Sequence, residues 1–367
     1  MKKQQYYKQV LNLFQNDSIT RQDIAKSLHI SMPTTLQIVS ELLEAGILME
    51  SGSLESTGGR KAKCLTLNVD AAYTVGINVG LHHVSMVLLN YGGEIVRDFR
   101  FQTEFRDQGS WYEELKTKTY NFLASCNVSM EQVLCVGISF PGIIDDEGGW
   151  ILHSHVFNIH NVSLDLFRKM FPVPVAVFND ANSGGYTELQ SYGEDYTYLS
   201  LNESVGGAII CDGKLYRGDT FHAGEIGHMI LVPDGDPCYC GKKGCADAFL
   251  SATKLMDEDH EIQSFMKRVE AGDEEACHRL ETYLDWLAIF ATNIRMVFNN
   301  KLIIGGEIGK IIDRFLPELC KKMEKYDLFS RSIDYIYPCK TKKNMMATGA
   351  GRLALNKYRD HILEDME

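Results

Sequence analysis

The segment Gly224–Asp247, GEIGHMILVPDGDPCYCGKKGCAD, decides how the rest of the chain is interpreted. His228 lies ten residues before a C-x-C-G-x-x-G-C run that supplies Cys238, Cys240 and Cys245. Three soft thiolates and one imidazole form the closed tetrahedral ligand set of structural zinc. Ordinary cytosolic cysteines are often small core side chains, but a Gly- and Pro-rich loop would not bury three of them. The spacing therefore predicts a structural Zn²⁺ site.

Acidic side chains accompany these metal ligands. Glu225 lies three residues before His228, and Asp247 follows the last cysteine closely. A metal-bound imidazole has its second ring nitrogen free for a hydrogen-bond partner. If that partner is a ligand hydroxyl, the metal orients His228, and Glu225 and Asp247 are further acceptors. Clustered acceptors of this kind suit a neutral, polyhydroxylated molecule.

The same segment resembles the ROK family (repressors, open reading frames and sugar kinases), whose mark is G-E-x-G-H followed by C-x-C-G-x-x-G-C-x-E. Asp247 stands where the family has Glu and is one methylene shorter. The resemblance covers about residues 5–355 and implies a sugar in a cleft between two lobes. The sugar-binding residues that it implies are Gly142, Asn179, Asp180, Glu225, His228 and Asp247.

Composition and length indicate a multidomain protein of the cytosol. At 367 residues and 45% apolar content, two or three folding units with real cores are expected. An apolar run of membrane-spanning length and a signal-peptide pattern are both missing, so no membrane association is expected. Ten cysteines without a secretion signal indicate a reducing compartment, which predicts a cytoplasmic location.

Charge is distributed unevenly along the chain. The formal net charge is −12, which is unfavourable for a nucleic-acid-binding protein taken as a whole. Residues 1–63 carry eight Lys/Arg against six Asp/Glu, whereas the remaining residues carry 29 against 43. A slightly basic N-terminus on an acidic body is compatible with a DNA-binding module attached to a sensor, but is weak support by itself.

Residues 3–50 have the apolar spacing of three helices. They are predicted over Lys3–Gln15, over Arg21–Leu28 after an N-cap at Thr20, and from about Pro33 to Ala45 before a C-terminal Gly46. The last two helices, joined by a short turn, fit a helix-turn-helix. Its outward face for DNA would contain Ser31, Thr34, Leu36 and Gln37. The same pattern fits any small three-helix bundle, so the helices alone leave DNA binding open.

A basic loop follows these helices. Strands are predicted over Ile47–Glu50 and Cys64–Asn68, on either side of SGSLESTGGRKAK. The basic residues of this loop are Arg60, Lys61 and Lys63. A flexible basic hairpin tip suits phosphates or a minor groove, although a solvated loop would have the same composition. The run S-x-G-G-R also resembles the wing of ROK regulators, so the N-terminus is predicted to be a winged helix-turn-helix that binds double-stranded operator DNA.

The rest of the chain has an α/β pattern. Three strands at 73–80, 84–90 and 94–101 are predicted as a meander, followed by a helix at 111–125 and strands at 133–145 and 173–179. A second group of strands at 196–216 precedes helices from Ser251 to about Asn299, a strand at 301–306 and a last helix at about 348–358. Periodicity alone supports only mixed α/β. The resemblance implies the two-lobed, actin-like (ribonuclease-H-like) ROK sugar kinase fold.

The predicted domains follow from this order. Residues 1–70 would form the winged helix-turn-helix, and residues 71–185 the first lobe, completed by a C-terminal helix at 345–360. Residues 186–344 would form the second lobe with the zinc loop.

Three places distinguish a kinase from a sensor. Asp180, at the end of a strand, matches the general base of ROK kinases and is predicted here to be a vestigial base. An Asp-Asn pair at a strand end also suits a plain turn and helix cap. The family's first phosphate loop, D-x-G-G-T, is here Asn78-Val79-Gly80-Leu81-His82, which lacks the carboxylate. The second, G-T-G-x-G-x-G, is here Asn202-Glu203-Ser204-Val205-Gly206-Gly207, which loses two glycines and gains a negative charge.

The resulting interpretation is a sugar-responsive transcriptional regulator, of repressor type, for carbohydrate metabolism genes, without kinase activity. Its expected partners are operator DNA, a sugar or sugar derivative and a second copy of itself, as a homodimer or homotetramer. Two alternatives stay open. One is an active ATP-dependent sugar kinase with a DNA-binding head, and the other is a regulator whose body binds a partner protein.

Overall fold

The N-terminal module consists of three helices and a small antiparallel sheet. In the computed structural model, which describes residues 2–14, 18–53, 63–257, 261–329 and 333–366, its elements are α1 (Lys2–Asn12), β1 (Ile19–Thr20), α2 (Arg21–Ser27), α3 (Met32–Glu44), β2 (Leu48–Ser53) and β3 (Lys63–Leu67). The strands pair in the order β1-β3-β2. Helix α1 ends three residues before its predicted end, and the two-residue β1 was not predicted because it is too short to show an alternating pattern.

Local capping explains why α2 and α3 begin and end where they do. Thr20 Oγ1 accepts a hydrogen bond of 3.2 Å from Asp23 N, and Asp23 Oδ2 accepts one of 3.0 Å from Thr20 N, which forms a capping box. Ser31 caps α3, and Gly46 follows its end with φ +69°. Few side chains adopt that left-handed conformation, so Gly46 ends the helix. The predicted caps at Thr20 and Gly46 are confirmed.

The first lobe is built on a five-stranded sheet of order β11-β7-β4-β5-β6. Its elements are β4 (Tyr73–Val79), β5 (His83–Asn90), β6 (Ile95–Gln102), α4 (Gly109–Ser125), β7 (Val133–Phe140), β8 (Ile143–Asp145), β9 (Trp150–Ser154), β10 (Ile159–Ser163), α5 (Asp165–Arg168), β11 (Val175–Asn179), α6 (Asp180–Tyr186) and α7 (Leu189–Tyr192). Strands β4, β5 and β6 form the predicted antiparallel meander. Strand β7 pairs parallel with β4, and β11 with β7. The near-continuous apolar run of β7 reflects burial on both faces.

The second lobe repeats this topology in the order β14-β13-β12-β15-β16. Its elements are β12 (Tyr196–Leu201), β13 (Val205–Cys211), β14 (Lys214–Tyr216), α8 (Asp247–Leu250), α9 (Ile262–Glu270), α10 (Glu274–Phe298), β15 (Lys301–Gly305), α11 (Gly306–Gly309), α12 (Leu316–Met323) and β16 (Ile336–Pro338). Strands β12, β13 and β14 are antiparallel, and β15 and β16 add in parallel. Two sheets of one topology facing a cleft agree with the predicted fold.

The last helix, α13 (Met345–Tyr358), returns to the first lobe and packs on β4, β7 and α6. A Cβ atom at Gly349 would lie 1.6 Å from the Ser183 carbonyl oxygen, so only glycine allows α13 to approach α6 this closely. The helix begins three residues before its predicted start and continues into a 3₁₀ segment, Arg359–Met366.

The N-terminal module contacts the first lobe through this C-terminal segment. Leu355 and Leu363 lie in one buried cluster with Val10 and Leu11 of α1. Tyr91, also in this cluster, donates a hydrogen bond of 3.4 Å to the Arg359 carbonyl oxygen. The module and the body therefore share a continuous apolar core.

A second small sheet, of order β10-β9-β8, lies beside the main sheet of the first lobe. It was not predicted as a sheet, because its strands are only three to five residues long. Across the described ranges, the structure has no helix that is long and apolar enough to cross a membrane.

Candidate functional site

A cavity of about 290 Å³ lies between the two lobes. The ends of β7 and β11 form one wall, and the start of β13 and the segment 222–240 form the other. Five of the six predicted ligand-binding residues line it: Gly142, Asn179, Asp180, Glu225 and His228. The structure therefore brings together residues from distant parts of the sequence at one cleft. Their role in binding a ligand stays a prediction.

Asn179 and Asp180 lie where β11 ends and α6 begins. Asn179 Oδ1 accepts a hydrogen bond of 2.9 Å from Asn182 N, and its Nδ2 donates one of 3.0 Å to the Gly142 carbonyl oxygen. Asn179 is thus a helix cap, as turn chemistry alone suggested, and at the same time a wall of the cavity. One amide hydrogen and one oxygen lone pair of Asn179 remain for a ligand.

The two carboxyl groups of the cavity are close enough to influence each other. Burial raises the pKa of Asp180 above that of an ordinary aspartate. Burial also raises the pKa of Glu225, and the negative charge of Asp180 raises it further. Two crowded, desolvated acceptors favour a ligand that donates hydrogen bonds to both.

The predicted metal ligands converge on one point. The ligand atoms of His228, Cys238, Cys240 and Cys245 all lie within 4.8 Å of one another. Cys240 Sγ lies 3.7 Å from Cys245 Sγ, and Cys238 Sγ lies 3.7 Å from His228 Nδ1. A tetrahedron with metal–sulfur bonds of about 2.3 Å has sulfur–sulfur edges of about 3.8 Å, so these spacings fit a tetrahedral ion. The cluster can hold a metal ion.

The loop between these ligands is fixed by its own backbone hydrogen bonds. Cys238 N donates to the Lys242 carbonyl oxygen at 2.8 Å, and Gly241 N donates to the Cys238 carbonyl oxygen at 3.0 Å. Lys242 Nζ donates to the His228 carbonyl oxygen at 3.0 Å. These bonds join the cysteine turn to the segment that contains His228.

The two ring nitrogens of His228 face different partners. Nδ1 faces Cys238 and the metal cluster, whereas Nε2 lies 4.0 Å from Glu225 Oε2 and 3.5 Å from the Tyr239 hydroxyl. Burial lowers the pKa of His228, and the Lys242 charge lowers it further, so the neutral imidazole is favoured. With Nδ1 on a metal, Nε2 would carry the proton and point towards the cavity.

Asp247 is not among the described residues that line the cavity. It begins α8 and is 5% exposed, and its Oδ2 accepts a hydrogen bond of 2.6 Å from Val205 N. Burial raises the pKa of Asp247, while the Val205 N–H, the Lys254 charge and the Tyr239 hydroxyl oppose the rise. Asp247 therefore lies behind the cavity wall, and one of its carboxylate oxygens accepts a hydrogen bond from the Val205 backbone.

Several cavity residues were not predicted from the sequence. They are His153, His155, His222 and Tyr239. His153 and His155 belong to the run H-x-H-x₄-H, in which His153 Nδ1 lies 2.7 Å from His160 Nδ1. Burial lowers the pKa of His153, and its two histidine neighbours lower it further. The density of histidines in this run was the signal that could have identified them, and Tyr239 could have been found from its position between two cysteines that were predicted to bind a metal.

The described residues among those predicted to bind DNA lie in the N-terminal module. Ser31, Leu36 and Gln37 are exposed on the N-terminal half of α3, and Thr34 is half-buried with its hydroxyl 2.9 Å from Ser31 Oγ. Lys63 is exposed at the start of β3 and pairs with Glu50. Arg60 and Lys61 lie outside the described residues.

The two segments predicted to be altered phosphate loops follow β4 and β12. Leu81 is 37% exposed after β4, and Glu203 is exposed between β12 and β13. Asn202 Nδ2 donates to Ser200 Oγ at 2.9 Å, and Asn202 Oδ1 accepts a hydrogen bond of 3.0 Å from Glu307 N. The side-chain amide of Asn202 therefore accepts the hydrogen bond of a backbone N–H in the first turn of α11.

Both the sequence and the fold of this chain are similar to those of known proteins. The model of the ROK family matches residues 74–357. The xylose repressor of Bacillus spizizenii is 27% identical over 375 residues, which span 95% of this chain and 94% of that repressor. A crystal structure of a ROK family transcriptional regulator, a homolog of the E. coli MLC protein, shares the fold with a TM-score of 0.78 at 21% identity, over 99% of this chain and 98% of that chain. A ROK family glucokinase from Streptomyces griseus, solved with glucose and AMPPNP, has a TM-score of 0.65 at 22% identity, over 78% of this chain and all of that chain.

Proposed function

This chain belongs to the ROK family, and from that membership we propose that it is a sugar-responsive transcriptional repressor of carbohydrate metabolism genes. The observation that carries the proposal is the union, in one chain, of an N-terminal helix-turn-helix with a ROK body. The similarity to the Bacillus spizizenii xylose repressor extends over both parts. The glucokinase, by contrast, matches 78% of this chain.

The chemistry of the cavity supports a neutral sugar as effector. Asp180 and Glu225 are acceptors for hydroxyl groups, and His228 Nε2 faces the same space. Among the described lining residues there is no lysine or arginine to pair with a phosphate or carboxylate. A negatively charged group of a ligand would be repelled by the two carboxyl groups. The effector class is therefore an unphosphorylated monosaccharide, and the name of the Bacillus relative makes D-xylose the first to test.

The ion in the metal cluster is a structural zinc. The donor set of three thiols and one imidazole suits zinc, and its spacings fit a tetrahedron. The ion would be held by His228, Cys238, Cys240 and Cys245 and would supply rigidity to the loop. His228 then presents Nε2 to the effector, with Glu225 beside it.

The body does not transfer phosphoryl groups in this proposal. Asp180 occupies the position of a kinase base, but the groups that hold a nucleotide are altered at both loops. Asn78 replaces the carboxylate of the first loop, and Glu203 adds a negative charge at the second. The Asn202 side chain also accepts a hydrogen bond from the Glu307 N–H. A base without a positioned phosphate donor performs no transfer.

Sugar binding would act on DNA through the whole molecule. Residues 1–70 would read the operator, and the lobes 71–185 (with 345–360) and 186–344 would close on the sugar. In a homodimer or homotetramer, closure would change the separation of two N-terminal modules, so that half-sites at a fixed spacing fit or do not fit. Release of the operator is the expected response for a repressor.

Calorimetric titration tests this proposal. The zinc-loaded protein is titrated with D-xylose, other pentoses and hexoses, their N-acetyl and phosphate forms, and ATP with magnesium. We expect a neutral monosaccharide to bind and ATP not to bind. Binding of ATP would restore the kinase alternative, and failure of every sugar would favour a body that binds a partner protein.

A further inference from the structure

His153 lines the cavity from the first lobe, in a stretch where three histidines lie close together. It is half-buried on β9 and lies directly opposite His160 of β10 in the register of the small sheet. Residues paired in this way project from the same face of a sheet. The His153 ring contacts the His155 ring at 3.8 Å and the His160 ring at 4.2 Å between centroids. Of the pair His153 and His160, only His153 is among the described residues that line the cavity.

The three histidines do not have the geometry of a second metal site. Within the described ranges, the group of potential ligands that converges to within 4.8 Å is the one at His228 and the three cysteines. His153 Nδ1 and His160 Nδ1 lie 2.7 Å apart, which is a hydrogen-bond distance. A tetrahedron with metal–nitrogen bonds of about 2.0 Å would separate two nitrogens by about 3.3 Å. The contact is therefore a hydrogen bond, in which one nitrogen carries the hydrogen atom and the other a lone pair.

This hydrogen bond decides what His153 offers to a ligand. With Nδ1 engaged by His160, the ring has one nitrogen left, Nε2. Burial lowers the pKa of His153, and the charges of His155 and His160 lower it further, so the neutral ring is favoured. Nε2 of the neutral ring accepts a hydrogen bond when Nδ1 donates to His160, and it donates when Nδ1 accepts. His153 can therefore serve a sugar hydroxyl in either role, whereas an ionised carboxylate only accepts.

The backbone of His153 is joined to residues already placed at the cavity. A Cβ atom at Gly142 would lie 2.4 Å from the His153 carbonyl oxygen, so only glycine allows this approach. The Gly142 carbonyl oxygen in turn accepts the hydrogen bond of 3.0 Å from Asn179 Nδ2. These contacts fix β9 against the wall of the cavity that contains Asn179 and Asp180.

We propose that His153 is a further effector-binding residue, which hydrogen-bonds one sugar hydroxyl through Nε2, and that His160 is its positioning residue. The proposal rests on the function proposed above and adds a side chain to the same site. His228 Nε2 stays available to the effector, because His228 lies on the opposite wall. A sugar that contacts both histidines would join the two lobes, which is what closure on the sugar requires.

The test compares sugar binding by matched variants of the full, zinc-loaded chain. His153→Gln keeps a polar group near the position of Nε2, His153→Asn keeps one near Nδ1, and His153→Ala removes both. His160→Ala is made in the native chain and in His153→Ala. The control is His278→Ala, at an exposed histidine of α10 that does not line the cavity.

Dissociation constants are measured by calorimetry for D-xylose, D-glucose and any other neutral monosaccharide that binds, and for their monodeoxy forms. Zinc content and melting temperature show that each variant is folded and loaded.

The expected result is a coupling between the His153 ring and one sugar hydroxyl. His153→Ala and His153→Asn should bind the parent sugar about tenfold more weakly, as the loss of one hydrogen bond in a desolvated site does. His153→Gln should retain more of the affinity. One monodeoxy sugar, which lacks the hydroxyl that meets Nε2, should bind equally well to the native protein and to His153→Ala. The control should bind every sugar as the native protein does.

The role of His160 has its own expected result. His160→Ala should weaken binding of the parent sugar about threefold in the native chain, because the His153 ring is then less well oriented. It should change nothing further in His153→Ala, since a positioning residue acts only through the residue that it positions. An equal effect in both backgrounds would contradict the positioning role.

Two results would overturn the assignment of His153. One is native affinity for every sugar in His153→Ala and His153→Asn. The other is an equal weakening for parent and monodeoxy sugars with no difference between His153→Gln and His153→Asn, which would mean that the ring only supports the wall. If the native protein binds no neutral monosaccharide, the proposed function fails before any variant is compared, and this assignment fails with it.

Discussion

Cys240 offers a direct test of how the predicted metal site and the proposed sugar site depend on each other. Its sulfur lies 3.7 Å from that of Cys245, at the spacing of a tetrahedral edge. We expect Cys240→Ser to lose zinc and sugar binding together, because the loop then no longer fixes His228 Nδ1 and the cavity-facing Nε2. Metal analysis and calorimetry measure both losses. Cys211→Ser, at an exposed cysteine of β13, is the control and should change neither.

A zinc-free Cys240→Ser protein that still binds sugar with native affinity would contradict this prediction. The ion would then hold the loop without orienting His228, and the hydrogen-bonded turn at Cys238 and Lys242 would suffice to position the histidine.

Asp180 is expected to make sugar affinity depend on pH. Burial raises its pKa, so its folded carboxyl takes up a proton at a higher pH than it does in the unfolded chain. The ionised group therefore destabilises the fold at neutral pH, and this cost disappears as the pH falls through the folded pKa. A sugar hydroxyl that donates to Asp180 needs the ionised form, so affinity should fall as the pH falls through the same range. Calorimetry over a pH series measures it.

Asp180→Asn is the matched comparison, since it keeps the shape and removes the titration. It should bind sugar more weakly at neutral pH and with less dependence on pH. An identical pH profile in the native and Asp180→Asn proteins would assign the dependence to another group.

At the scale of elements, strands β2 and β3 pair antiparallel in the N-terminal module. Arg60, in the sequence between these strands, lies outside the described residues, and its role in the wing stays a prediction. We expect Arg60→Ala to weaken binding to all DNA and to reduce the slope of log affinity against log salt by about one, as the loss of a phosphate contact does. Titration of labelled operator and of unrelated DNA over a salt series measures this.

Gln37→Ala tests α3 in the same way as Arg60→Ala tests the wing. The Gln37 side chain is exposed, and its Nε2 donates a hydrogen bond of 3.2 Å to Glu41 Oε1. Loss of a base-reading residue should weaken binding to the operator by about 1–3 kcal/mol and change binding to unrelated DNA hardly at all.

A salt slope that stays unchanged in Arg60→Ala would remove the wing from the DNA interface.

Elements with strong local signals could be predicted, and elements defined by long-range pairing could not. Thr20 and Gly46 mark helix ends by side-chain and backbone chemistry that acts within a few residues. The strands β8, β9 and β10 pair with one another in a small sheet, and each is too short to show a strand pattern in the sequence.

The same distinction holds within the site. The cysteine spacing is local, so the convergence of His228, Cys238, Cys240 and Cys245 could be predicted from the sequence. His155 and Tyr239 meet across the cleft from different lobes, and a contact of that kind becomes visible only in three dimensions. Asp247 has the sequence context of a ligand residue. Its carboxylate instead accepts a hydrogen bond from Val205 N, which is 42 positions away in the sequence, so this contact could not be predicted.

At the scale of the whole molecule, two helices connect the cavity between the lobes to the N-terminal module. Helix α6 begins at Asp180 and packs closely on α13, whose continuation reaches α1. There Lys8 Nζ lies 2.7 Å from Asp360 Oδ2, beside the apolar cluster that contains Leu355 and Leu363. A shift of α6 on sugar binding would therefore reach the module through α13.

The Lys8–Asp360 pair allows this route to be tested without disturbing either site. The pair is partly exposed, so its loss should cost about 0–1 kcal/mol of folding stability. We expect Lys8→Glu and Asp360→Lys each to reduce the factor by which sugar changes operator affinity, and the double variant to restore it. By linkage, operator DNA must change sugar affinity by that same factor, so titrations in both directions separate weaker coupling from a direct effect of Lys8 on DNA. If both single variants keep the native factor, the signal passes through lobe closure between subunits and not through α13.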